Sequence, residues 1–316
     1  MTEEKVPIGI SACLLGQAVR YNGGHKRDPY LVDTLGFFVR WVPVCPEAEL
    51  GMGTPREPVD LVLRGGRTHM MGVESGEDWT VRMEVFARRR IARLPPLSGY
   101  VFKADSPSCG PDRVKLHSPR GGTPSRKGVG LFAAALKASN PLLPIVDEGR
   151  LHAPALRDNF LERVFAHQRL RGLLAGRPSS RRLMEFHAAH KFQLLAHSPS
   201  ALRKLGQLAA TPGYQDPEAL RLEYAAGFMR ALEQVATPDR NANALQHMLG
   251  FLKKQLSSSE KQAALDAIEA YRKGLTPLLV PLTLIRHFVR THGEPYLAAQ
   301  TSLNPDPQEL MVRNHA

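Results

Sequence analysis

Cysteine is scarce in this chain, with three residues in 316, and aromatics make up only 7 % of it. Three thiols cannot all pair with one another, which excludes a disulfide scaffold, and no CxxC spacing is present to build a zinc module. Acidic residues are outnumbered, 30 against 42 Lys and Arg, giving a formal charge of +12. No window approaches the ~18 uninterrupted apolar residues of a membrane span, and Met1 to Gly9 lacks the apolar core of a signal peptide. A cytoplasmic protein with no membrane association is expected. Walker A and Ser-Gly-Gly phosphate loops, internal repeats and low-complexity tracts are also missing. Neither ATP, nor another nucleotide cofactor, nor an obligate protein partner is therefore expected.

What is present divides near residue 150. Short apolar runs bounded by Gly and Pro recur at Pro7 to Ala12, Phe38 to Val44, Gly99 to Ala104 and Leu142 to Val146. Helical patterns separate them at Pro29 to Phe38, Thr80 to Leu94 and Ser125 to Ala138. Strands alternating with helices imply a parallel, Rossmann-like α/β sheet covered on both faces. Leu61 to Trp79, with Gly65-Gly66 inside it, reads as a hairpin excursion. Residues 151–316 read as an all-α domain punctuated by prolines, with one helix capped at Ser179-Ser180 and running to His197, and an extended arm over Ser302 to Ala316. The positive surplus is spread over both halves rather than held in a tail, which suits one large polyanionic partner.

Cys13, Cys45 and Cys109 lie 32 and 64 residues apart, so spacing alone carries little. Position carries more, because each sits at or just beyond the carboxyl end of an expected parallel strand. Those ends share one edge of an open sheet, where ligands bind and distant thiols can converge. Turn formers and hydroxyls flank them, as in Ser106-Pro107-Ser108-Cys109-Gly110, whereas inert core thiols usually sit inside apolar strands. Convergent thiolates select zinc or an iron–sulfur cluster. Three can hold a 4Fe-4S cluster with one iron not ligated by protein, and zinc completed by His25 or His69 is the alternative.

Four blocks at these positions resemble the bacterial thiouracil desulfidase family: Ser11 to Gly16, Val19 to Lys26, Cys45-Pro46-Glu47 with Gly51 and Pro55 to Pro58, and Ser106 to Gly110. The remainder, from Leu156 to Phe160 through Phe186 to Lys191 and on to Leu303 to Pro305, is similar to the helical domain of tRNA 4-thiouridine desulfidases. The resemblance implies a catalytic domain over residues 1–150, whose three cysteines hold a 4Fe-4S cluster with its fourth iron free for a thiocarbonyl sulfur. It also implies a helical, tRNA-binding domain over residues 151–316. The chemistry agrees in direction: thiolation of a base usually consumes ATP, whereas desulfuration needs only water, a base and a proton donor.

Within that reading Glu47, two residues past a cysteine, is the candidate base, and Ser106 the candidate proton shuttle, ahead of Ser108 and Asp105. Arg20, Tyr21, His25 and Lys26 lie in a Gly-rich loop that lets a substrate approach closely. Together with Arg56 and Ser108 they are the substrate-binding candidates. A tRNA carrying 4-thiouridine would explain the helical half, with His187, His190, Lys191, Lys253 and Lys254 as RNA contacts and Arg177 among further phosphate candidates. The same chemistry on free 2-thiouracil or thiouridine, and a non-catalytic RNA-binding protein with a structural or redox-sensing cluster, are the competing expectations.

Overall fold

The computed structural model describes residues 5–118, 120–176, 179–211, 216–305 and 309. Strands β1 (Val6–Ser11), β2 (Val39–Val44), β3 (Val59–Arg64), β4 (Arg67–Gly72), β5 (Gly99–Phe102), β6 (Val114–His117), β7 (Ser125–Gly128) and β8 (Ile145–Asp147) alternate with helices α1 (Pro46–Glu49), α2 (Thr80–Ala92), α3 (Leu131–Ser139) and α4 (Glu148–Leu151). They form two sheets. The first has the order β2-β1-β5-β8 with every pairing parallel, as the alternating pattern implies. Its central strand β1 is buried along almost its whole length, the signature of a strand covered on both faces. One face packs Val6, Ile8 and Ile10 against Leu31, Leu35 and the α5 (Pro154–Ala175) residues Phe160, Leu161, Val164 and Phe165. The other packs Tyr100 and Phe102 against Met83 and Ala87 of α2 and Phe132 and Leu136 of α3.

The second sheet, β4-β3-β6-β7, is mixed. Its β3–β4 hairpin is the expected excursion, turned by Gly65 and Gly66, both at positive φ. Two expectations are corrected here. Ser125 to Gly128 is not the start of a helix but strand β7, antiparallel to β6, and α3 begins only at Leu131 after the N-cap Gly130. Tyr30 to Phe37 winds as a π turn followed by a 3-10 turn rather than a regular helix.

The rest is helical: α6 (Ser180–Ala189), α7 (Lys191–His197), α8 (Pro199–Ala209), α9 (Pro217–Leu232), α10 (Pro238–Leu252), α11 (Ser258–Arg272), α12 (Leu279–His292) and α13 (Pro295–Ala298). The prolines that punctuate the sequence open helices rather than merely ending them. Pro199, Pro217 and Pro238 stand at first helical positions behind the capping side chains of Ser198, Asp216 and Thr237. The expected single helix from Ser180 to His197 is broken at His190, whose ring Nδ1 bonds the Phe186 carbonyl at 2.7 Å and closes the last turn of α6. A core of Phe192, Leu245, Leu249, Ile268, Ile285 and Phe288 joins α7, α10, α11 and α12. Leu303, at the start of the expected arm, is buried in that core, while residues 306–308 and 310–316 lie outside the described residues. Contacts divide the described chain into two compact units between Gln168 and Arg169, inside α5.

Candidate active site

Each cysteine follows a strand of the parallel sheet, and the three strands, β2, β1 and β5, are neighbours. Cys13 lies in the 3-10 turn Ala12–Leu15 directly after β1. Cys45 follows β2 directly and is the N-cap residue of α1, its N–H donating to Glu49 Oε1 at 3.0 Å. Cys109 lies past β5 in a turn whose backbone is tied by Cys109 N to Ser106 Oγ at 3.1 Å and Gly110 N to the Ser106 carbonyl at 2.8 Å. All three line one cavity of about 460 Å³ in the first unit. Convergence follows from topology: parallel neighbours deliver their carboxyl ends to the same edge.

Burial pushes all three thiols up. Cys13 rises to about 11, chiefly by desolvation and then by the charge of Cys45, and Cys45 and Cys109 are raised by the same main cause. Three desolvated thiols around one cavity gain most from an electrophile that replaces their protons. The donor set discriminates between metals. His25 is exposed, accepts from Arg27 N at 3.2 Å and does not line the cavity; His69, on β4, pairs with Asp78 at 2.8 Å. Neither supplies the fourth ligand of a closed zinc site. Three thiols without imidazole fit a cluster that spreads its thiolates over separate irons.

Beside the thiols runs a continuous polar chain. Arg56 Nη2 and Nε donate to Glu47 Oε2 at 2.5 and 3.1 Å, Ser108 Oγ donates to Glu47 Oε1 at 2.6 Å, and Ser106 Oγ lies 3.1 Å from Ser108 Oγ. The remaining Arg56 donor reaches the carbonyls of Val19 and Gly53. Arg56 lines the cavity with its side chain 5 % exposed, and its donors are taken up by Glu47 and these carbonyls. Ser108, ranked behind Ser106 in the sequence, is the hydroxyl in direct contact with the carboxylate, and Ser106 connects through it. Cys45 Sγ also meets the Val19 carbonyl, at 3.7 Å, so the loop after β1 is fixed to both cysteine and arginine.

Arg20, Tyr21 and Lys26 line the cavity from that loop, where Arg20 stacks on Tyr21 with its guanidinium carbon 5.5 Å from the ring centroid. Sequence reasoning passed over Lys103. It follows β5, its N–H bonds Ser11 Oγ at 2.9 Å, and its ammonium lines the cavity while pairing with Glu148. A lysine closing the apolar run Tyr100-Val101-Phe102 was the available signal. Lys115 and Arg126 also line the cavity, so cations there outnumber carboxylates.

The RNA candidates fall in the second unit. His190 is 2 % exposed, with Nδ1 on the Phe186 carbonyl and Nε2 accepting from Arg169 Nε at 3.1 Å, so it offers no surface to a partner. His187 bonds Tyr224 Oη at 3.0 Å. The Lys191 ammonium lies between 5.6 and 5.7 Å from the ring centroids of Phe192, Phe251 and Tyr296, whereas Lys253 and Lys254 are exposed. Arg177 lies outside the described residues.

Comparison with known proteins places this geometry. Residues 8–148 match the family described as 2-thiouracil desulfurase, and residues 191–307 match one described as a protein of unknown function, DUF1722. The uncharacterized protein YbbK of Bacillus subtilis is 34 % identical over 143 residues, covering 89 % of its length and 41 % of this chain. The uncharacterized protein YbgA of Escherichia coli is 29 % identical over 158 residues, covering 94 % of its length and 50 % of this chain. A solved structure, the [4Fe-4S]-dependent thiouracil desulfidase TudS, is 32 % identical with a TM-score of 0.39, and the match covers 94 % of it and 48 % of this chain. The α/β unit is thus of the carbon–sulfur bond-cleaving class. Through it, the chain belongs to the 2-thiouracil desulfurase family.

Proposed function

We propose that this protein is an iron–sulfur-dependent, non-redox desulfidase that converts 4-thiouridine in tRNA to uridine, releasing sulfide. The observation that carries the reading is the meeting, in one cavity, of three desolvated thiols with the Glu47–Ser108–Ser106 chain. Cys13, Cys45 and Cys109 would hold the cluster, which supplies a soft Lewis acid for a thiocarbonyl sulfur when bound. Water then replaces sulfide at the ring carbon: one C–O bond forms, one C–S bond breaks, and no electrons are gained or lost.

The chain's own residues move the protons. Glu47 takes one from the attacking water. Arg56 fixes the direction of that carboxylate through a two-point grip. Ser108 and Ser106 pass a proton from the carboxyl outward to the ring nitrogen or the departing sulfur. The cations lining the cavity favour charge that develops on the pyrimidine ring.

The test is sulfide release from thiolated tRNA by anaerobically reconstituted protein. Glu47→Gln should lower turnover by about 10²–10⁴-fold with iron content unchanged, and Ser108→Ala should cost more than Ser106→Ala. Full turnover in Glu47→Gln would remove this mechanism.

A further inference from the structure

The segment Thr80 to Arg93 carries five arginines, Arg82, Arg88, Arg89, Arg90 and Arg93. Helix α2 and its C-cap bring four of them to one face, since positions i, i+7, i+8 and i+11 fall on a single stripe. Val81, Val85, Phe86 and Leu50 line the same groove, of about 450 Å³, with Arg82, Arg89, Arg90 and Arg93 around them. Two guanidiniums are already paired, Arg82 with Glu77 at 2.6 Å and Arg90 with Glu49 at 2.7 Å. Arg89 and Arg93 are exposed and meet no carboxylate among the described residues. Unneutralised guanidiniums beside an apolar floor match a chain of anions that carries flat apolar groups.

The groove is linked to the cavity through helix α1. Glu47 of that helix lines the cavity, and Glu49 lines the groove. Glu49 accepts from Cys45 N through Oε1 and from Arg90 Nε through Oε2, so one carboxylate ties a cavity cysteine to the groove.

We propose that this groove binds the phosphodiester backbone of an RNA strand close to the nucleotide whose base enters the cavity. This rests on the reading that the substrate is an RNA, since a free base would make no use of such a surface. Arginine suits the role, because its planar fork grips phosphate oxygens and its face stacks on bases. An acidic protein segment is the other chemistry that matches the charge, and the test separates the two.

The experiment titrates the full, iron-loaded chain with tRNA over a range of salt concentrations. It compares wild type, the double variant Arg89→Ala/Arg93→Ala, and Arg88→Ala, which lies on the same helix but does not line the groove. The double variant should bind tRNA about 10-fold more weakly or worse. Its plot of log affinity against log salt should be shallower by roughly 1.4–1.8, at roughly 0.7–0.9 for each of two lost phosphate contacts. Arg88→Ala should change neither quantity, and iron content and melting temperature should be equal in all three. Unchanged affinity and slope in the double variant would overturn the groove proposal and leave the RNA reading standing, as would an equal loss in Arg88→Ala. Polyglutamate binding as tight as tRNA, and equally lost in the double variant, would assign the groove to an acidic protein and overturn it. Failure of the wild type to bind tRNA at all would overturn the RNA reading and the groove together.

Discussion

His190 shows how a single side chain can look functional in sequence and act structurally in the fold. Buried against Phe186, with ring centroids 3.9 Å apart, its ring donates from Nδ1 to the Phe186 carbonyl and accepts at Nε2 from Arg169. Arg169 in turn pairs with the buried Glu309 at 2.7 Å. Desolvation first, and the Arg169 charge second, lower His190 from 6.5 to about 3. The folded state therefore keeps it neutral, while the unfolded chain takes up a proton below pH 6.5. Its contribution is complete above pH 6.5 and is lost as the pH falls from there toward 3, at up to about 1.4 kcal/mol per unit. The melting temperature of wild type should consequently fall more steeply than that of His190→Gln between pH 6.5 and 4.5; parallel profiles would contradict the assignment. The sequence offered His187, His190 and Lys191 as RNA contacts. It could not show that a helix break turns His190 inward.

At the scale of elements, strand ends were the legible feature and strand partners were not. The runs ending before Cys13, Cys45 and Cys109 are apolar and bounded by turn formers, so their C-terminal positions could be read directly. Strands β6 and β7 are four residues each, Val-Lys-Leu-His and Ser-Arg-Lys-Gly, too short and too polar for a periodicity to register. That Cys13, Cys45, Cys109 and Glu47 meet was legible, and all four line the cavity. The roles of Arg56 and Ser108 and the presence of Lys103 were not, because they depend on contacts between segments far apart in the chain. Gly130, the N-cap of α3, is one such contact. A Cβ there would lie 2.5 Å from the Ser108 carbonyl carbon and 2.8 Å from Cys109 N. Gly130→Ala must therefore displace the backbone that carries a cysteine and the Glu47 hydroxyl partner, at a cost of roughly 1–3 kcal/mol. Iron content and turnover should both fall while far-ultraviolet circular dichroism stays native; unchanged iron content and turnover would show that the turn yields without consequence.

For the molecule as a whole, the scarce cysteines and the positive surplus are distributed differently over the two units. The cysteine count is absorbed by the α/β unit, which needs α5 for its core: Phe160, Leu161, Val164 and Phe165 pack there although the sequence texture changes near residue 150. The positive surplus has a structural counterpart in the arginine groove of α2, and in the second unit Lys253 and Lys254 remain exposed. The central claim is that the three-thiol cavity removes sulfur from a tRNA base. The most direct measurement is the 4-thiouridine content of tRNA, by nucleoside mass spectrometry, after anaerobic incubation with the iron-reconstituted full chain. Conversion of 4-thiouridine to uridine with an equal yield of sulfide, abolished in Cys45→Ser, is the predicted result; 4-thiouridine left intact by protein that carries its full iron would contradict it.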